Sequence, residues 1–194
     1  MYIQFIKISL IIVALSLATC ACKNQYTPKP HGYHRIALPE RGYQVFDTAF
    51  PYQFEYPKYA KIEPDTSSNA EAYWLNIILP EFNGQVYVSY KKIHDNLYEL
   101  MEDGRNLVYK HTQKADAINE RMFYNEESKV LGVLYEIKGN AASPMQFYAT
   151  DSVKHFIRGS LYFNVVPNQD SLAPVISFVR DDIMHLMETI EWKE

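Results

Sequence analysis

The chain carries two cysteines, Cys20 and Cys22, and both stand at one boundary, so everything that follows must fold without an internal disulfide even in an oxidising compartment. Its stability has to come from a buried core. The roughly 170 residues beyond the boundary are enough for one domain with a sizeable core.

The same boundary decides the compartment. Met1 to Thr19 hold a single charge, Lys7, followed by the apolar run from Ile8 to Leu17. That run is too short to cross a hydrocarbon layer of about 30 Å as a helix and matches a secretory signal peptide. Small residues then lead into cysteine, the pattern of a bacterial lipoprotein whose thiol is diacylated and becomes the new N-terminus. Two registers compete. Cys22 is preferred because the small Ala21 precedes it, whereas Cys20 has the approach Leu17-Ala18 but the β-branched Thr19 at the cut. The plainer alternative is an ordinary cleaved signal peptide with two incidental cysteines. The expected organisation is a signal peptide at 1–21, an anchor and Pro-rich tether at 22–42, and a single globular α+β domain at 43–194.

Losing residues 1–21 removes Lys7 alone and leaves an acidic body with no basic cluster. Such a surface is a poor fit for nucleic acid or anionic headgroups. Membrane attachment therefore falls to the acyl chains, palmitate among them, because two or three chains hold where one is marginal. Lys23-Asn24-Gln25 lacks an acidic cluster that would direct the protein to the cell surface, which predicts a periplasm-facing anchor in either membrane.

The tether opens with Tyr26-Thr27-Pro28-Lys29-Pro30, whose prolines favour extended polyproline II. It interleaves Tyr26, Tyr33 and Tyr43 with Lys29, His31, His34, Arg35 and Arg41, and a turn is expected at Leu38-Pro39-Glu40-Arg41-Gly42. That order predicts a segment held against the domain or a partner. The run YTPKPHGYHRIALPERGY behind a lipoprotein cysteine resembles the gliding motility-associated lipoprotein GldD family of the Bacteroidetes. The likeness continues in FPYQFEYPKYAKIEPD, in AYWLNIILPEFNGQVYVSYKKI and in IRGSLYFNVVPNQDSLAPVISFVRDDIMHLMETIEW. What the resemblance implies is a cell-envelope protein needed for gliding and the linked type IX secretion apparatus, with no catalytic residues to carry over.

In the body, Phe46 to Thr48 and the alternating Tyr52, Phe54 and Tyr56 predict short strands, with Pro57 and Pro64 limiting regular pairing. Tyr73 to Leu79 and Gln85 to Tyr90 predict a hairpin around Asn83-Gly84. Ile93 to about Ile118 turns to helical spacing, read as two helices or one broken near Gly104. A meander follows: Arg121 to Tyr124, Val130 to Lys138, Met145 to Ala149, then Lys154 to Val165, long enough to cross the middle of a sheet, with Asp151-Ser152 as a two-residue turn before it. Val175, Ile176, Val179, Ile183, Leu186, Met187 and Ile190 predict a terminal helix, capped by Asp170 or Ser171. The expected class is α+β, a mainly antiparallel sheet flanked by helices, an α/β/α sandwich. Its closing element order is similar to the PsbP/Mog1-type fold.

Chemistry is sparse. The six histidines show no second ligand at metal-site spacing, no serine sits in a nucleophile elbow, and no glycine-rich phosphate loop is present. No cofactor or metal is expected. Glu126-Glu127 and Asp181-Asp182 are read as surface charge. Sixteen tyrosines, ten phenylalanines and two tryptophans are abundant for this length, and tyrosine is an interface residue. The expected docking surface joins Tyr26, Pro28, Pro30, Tyr33, Arg35, Pro39 and Tyr43 to Tyr52, Phe54 and Tyr56. The reading is a non-catalytic binding or assembly lipoprotein; the alternatives are an enzyme on peptidoglycan or another envelope polymer, and a lipid or peptide chaperone with an apolar cavity under the terminal helix.

Overall fold

The computed structural model describes residues 36–193 together with Tyr2 and Gln4. The acylation candidates Cys20 and Cys22, and tether residues Tyr26, Pro28, Pro30, Tyr33 and Arg35, lie outside the described residues.

Alternating apolar and polar positions build β1 (Tyr43–Phe46), β2 (Tyr52–Pro57), β3 (Lys61–Pro64), β4 (Leu75–Leu79) and β5 (Gly84–Lys92). Helix α1 (Leu97–Tyr109) precedes β6 (Ala115–Asn125), β7 (Val130–Gly139), β8 (Met145–Thr150) and β9 (His155–Phe163), and the chain closes with α2 (Gln169–Glu188) and β10 (Glu191–Trp192). A seven-stranded sheet runs β3-β4-β5-β9-β8-β7-β6, and a three-stranded one runs β1-β2-β10. Every pair is antiparallel. The strand expected to cross the middle, β9, is the fourth of the seven.

The period of two sends side chains of the large sheet to opposite faces, and each face has its own cluster. On one, Leu134, Met145, Phe147, Ile157 and Leu161 pack beneath Val179, Ile183 and Met187 of α2 and beneath Phe46, Tyr52 and Phe54 of the small sheet. On the other, Val133, Tyr135, Ile137, Tyr148 and Phe156 meet Val108, with Leu97, Leu100 and Met101 of α1 at its margin. The result is the expected α+β fold with helices on opposite faces.

Several local expectations are corrected. Helical spacing overruns: α1 ends at Tyr109, a short 3₁₀ turn covers Lys110–Gln113, and Ala115 to Ile118 are already strand. Pairing of Ala117 with Lys138 and Ile118 with Ile137 supplies bonds that local spacing cannot reveal. Gly104 does not break α1; its bare Cα faces Arg158, whose Cδ lies 3.9 Å from where a Cβ would stand. Lys61–Pro64, unanticipated, pairs with β4 and tolerates Pro64 because it is an edge strand. The cap of α2 is Asn168, whose side chain accepts from Ser171 N at 3.1 Å. The turn expected at 38–42 is not formed, as residues 36–42 carry no regular structure. Val165, placed with the inward face of β9, lies past the strand end and is exposed.

Candidate functional site

The last residues of the expected tether close onto α2. Lys58 N donates to Gly42 O at 2.8 Å, so the backbone just ahead of β1 is already drawn into the small sheet. That places Arg41 and Tyr43 over the helix.

Arg41 Nη2 donates to Asp181 Oδ2 at 2.8 Å and to the Phe178 carbonyl at 3.4 Å, and its guanidinium sits 4.7 Å from the Phe178 ring centroid. The hydrogen bond from Arg41 holds the Asp181 carboxyl below its usual range. This ion pair is half open to water and contributes little by itself.

Asp182, one residue on, is 4% exposed. A buried carboxylate is costly unless its oxygens are bonded, and here both are. The Tyr43 hydroxyl donates to Oδ1 at 2.9 Å, and the Tyr59 hydroxyl donates to Oδ2. Burial pushes the Asp182 carboxyl above its ordinary value against the pull of the two hydroxyls. Burial, with the carboxylate beside it, pushes the Tyr43 phenol up to about 12, so that hydroxyl keeps its proton and remains a donor. The Tyr43 ring also stacks on His185, centroids 3.7 Å apart. His185 Nε2 in turn donates to Glu55 Oε2 on β2 at 2.6 Å.

Together these residues form a clasp: two side chains of one short segment gripping about two turns of α2, from Phe178 to His185. Asp181 and Asp182 are each committed to donors that keep their protons, Arg41 for the one and tyrosine hydroxyls for the other. The expectation of surface charge at Asp181-Asp182 is half corrected. Asp181 is exposed enough to be ordinary, but Asp182 belongs to the core edge. A signal was present, because Asp182 falls four residues from both Phe178 and Leu186 and so within the buried stripe of α2.

The other expected docking residues separate. Tyr52 and Phe54, at 0% and 1% exposure, are core residues and are not available to a partner, which corrects their assignment. Their alternation with Gln53 and Glu55 marks a strand buried on one side, and the inward side takes the rings. Tyr56 and Pro39 are half-buried. Beside Leu172 and Ile176 of α2 the free space is about 10 Å³, room for about one water, whereas a cleft of about 840 Å³ opens at the other end of the helix, by Glu188, Ile190 and Trp192. His155 is satisfied, its Nδ1 lying 2.8 Å from the Tyr90 hydroxyl and its ring stacked on Trp192. Among the described residues no three His, Cys, Asp or Glu side chains gather as metal ligands.

The profile of a family described as "Gliding motility lipoprotein GldD" matches residues 23–192. No curated protein is matched by the chain. Among solved structures, the solution structure of cyanobacterial PsbP (CyanoP) from Synechocystis sp. PCC 6803 is similar, with a TM-score of 0.48 and 14% identity over 84% of this chain and 99% of that one.

Proposed function

We propose, from the premise that the chain belongs to the gliding motility lipoprotein GldD family, that it is a non-catalytic assembly component of the gliding machinery and of the linked type IX secretion apparatus. Acyl chains on Cys22, or on Cys20, hold it in the envelope with the folded body in the periplasm. The tether, 22–42, and the body, 43–194, act together, with Tyr26, Pro28, Pro30, Tyr33 and Arg35 offered to a neighbouring envelope protein.

The observation that supports this most is the clasp. Arg41 and Tyr43 are bonded to Asp181 and Asp182, so the tether joins the body at a set point on α2. A mere spacer needs no such fixing, and a partner reading tether and body at once does. Ile36 and Leu38, just ahead of that point in the chain, are exposed at 37% and 44%. A commitment of both carboxylates to permanent donors favours binding over catalysis at this place.

A photo-crosslinking residue at position 33, introduced in living cells, is expected to capture another component of the gliding or secretion apparatus. Substitutions Tyr33→Ala and Arg35→Ala are expected to abolish gliding and secretion at normal protein levels. Intact gliding and secretion in both, with the variants accumulating stably, would end the tether-docking reading.

A further inference from the structure

Helix α1 covers only part of its sheet face, and a cleft of about 470 Å³ opens between it, β5 and β9, with Asp65 and Trp74 of the segment joining β3 to β4 at its side. That volume lies in the range of small-ligand sites, about 300–1,000 Å³. Its walls are mixed, with an apolar and aromatic part from Trp74, Tyr87, Leu100, Leu107 and Phe156. Trp74 is fixed by an indole bond to Tyr90 O at 2.9 Å, and Tyr87 packs edge-on against Tyr162 at 5.6 Å.

Arg158 rises from β9, the central strand, into this cleft. Its position is costly. Nε is buried with no hydrogen-bond partner, and no salt bridge among the described residues reaches its guanidinium. Burial draws its pKa below the usual arginine value. Its aliphatic stem runs past Gly104 of α1, with Cδ 3.9 Å from where a Cβ would stand. An arginine fork kept free of protein acceptors inside an aromatic-walled cleft is shaped for a planar anion, which it holds by two parallel bonds.

The other charges in the cleft narrow the choice. Asp65 and Asp103 line it too, and Lys110 stands exposed at its rim, so a dianionic phosphate would meet two carboxylates with one deep cation to hold it. Lys91 is already paired with Glu71. A monoanion carrying N–H groups suits both signs: the carboxylate on Arg158, the N–H groups toward Asp65 and Asp103, and an apolar body on the walls. We infer that this cleft binds the carboxylate end of a peptide, with Arg158 as its anchor. The site lies on the opposite face of the sheet from the clasp and does not depend on it.

The test uses the full chain in detergent micelles, immobilised and exposed to a pool of N-acetylated random tripeptides with free C-terminal carboxylates, then to the same pool C-terminally amidated. Retained peptides are counted by mass spectrometry. The free-carboxylate pool is expected to be retained at least about tenfold more than the amidated one, and Arg158→Gln to lose that difference. Because Arg158 has no ion-pair partner among the described residues to strand, the variant is expected to fold, which circular dichroism checks. Tyr87→Ala removes a wall residue that is 42% exposed, and it is expected to lower retention about tenfold with the fold unchanged. Equal retention of the two pools, retention unaltered by Arg158→Gln, no retention at all, or Arg158-dependent binding of inorganic phosphate in place of peptides would each overturn the assignment.

Discussion

The two faces of the seven-stranded sheet are built on opposite terms. One lies under the 20-residue α2 and the small sheet, where Leu134, Met187 and Ile190 are fully enclosed. The other lies under the 13-residue α1, about 20 Å long, which leaves a cleft at its side. Each face also holds a charged side chain with enclosed polar atoms, Asp182 on one and the half-buried Arg158 on the other, and the two are treated differently. Asp182 receives a donor on each oxygen, while the Arg158 Nε receives no acceptor. The lesson is that the buried carboxylate is answered by the chain itself and the arginine Nε is not, while both faces keep a cleft, the one by Ile190 and Trp192 at the end of α2 being about 840 Å³.

The largest test of that contrast is packing. Met187→Ala, under α2, is expected to cost about 2–5 kcal/mol of unfolding free energy, because the filled core collapses poorly around the cavity. Leu100→Ala on half-buried α1 is expected to cost less than half as much. Equal losses by denaturant unfolding would show the faces to be alike.

The buried charge comes next. Asp182→Ala strands two tyrosine hydroxyls and is expected to cost about 2–4 kcal/mol. The pH dependence has a definite sign. Burial holds the folded carboxyl above the ordinary aspartate value of 3.8, so the folded state keeps this proton more tightly than the unfolded chain. The stability it contributes is fully present below 3.8 and is lost as pH rises through the raised folded value. The wild type is therefore expected to lose stability relative to Asp182→Asn across that interval, then run parallel to it. Asp181 behaves oppositely, since Arg41 lowers its folded value; its contribution is present above 3.8 and fades as pH falls. Unfolding curves at a series of pH values separate the two.

Smaller effects sharpen the picture. Tyr43→Phe removes the 2.9 Å bond to Asp182 and keeps the stack on His185, with an expected loss of about 1 kcal/mol. Gly104→Ala should gain about 0.5–1 kcal/mol, because the new Cβ meets Arg158 Cδ at an ordinary 3.9 Å and the helix sheds a glycine. A loss there, seen in the thermal midpoint, would mean that α1 sits closer to the sheet than the cleft allows.

Much of the fold was legible because local pattern and tertiary role agree. The terminal helix, the Asn83-Gly84 hairpin and the central placement of His155 to Phe163 follow from spacing that long-range packing then uses. The overrun at Ala115 to Ile118 has the opposite origin, as helical spacing and a strand partner competed and the partner 20 residues on won. The docking residues were the least legible. Tyr52 and Phe54 read the same from sequence whether their rings face water or the core, and only the covering α2 settles it.

By itself the amino-acid order determined a body free of cysteine beyond Cys22, the alternation of strands and the apolar stripe of α2. These depend on residues a few positions apart, where the periods of helix and strand act directly. The partnerships of Asp182 with Tyr43, 139 positions away, and of Arg41 with Asp181, 140 away, were decided only when the sheet brought distant segments together. So was the solitude of the Arg158 Nε. Whether a buried charge is answered depends on which surfaces the folded chain lays against it, and local pattern carries no record of that.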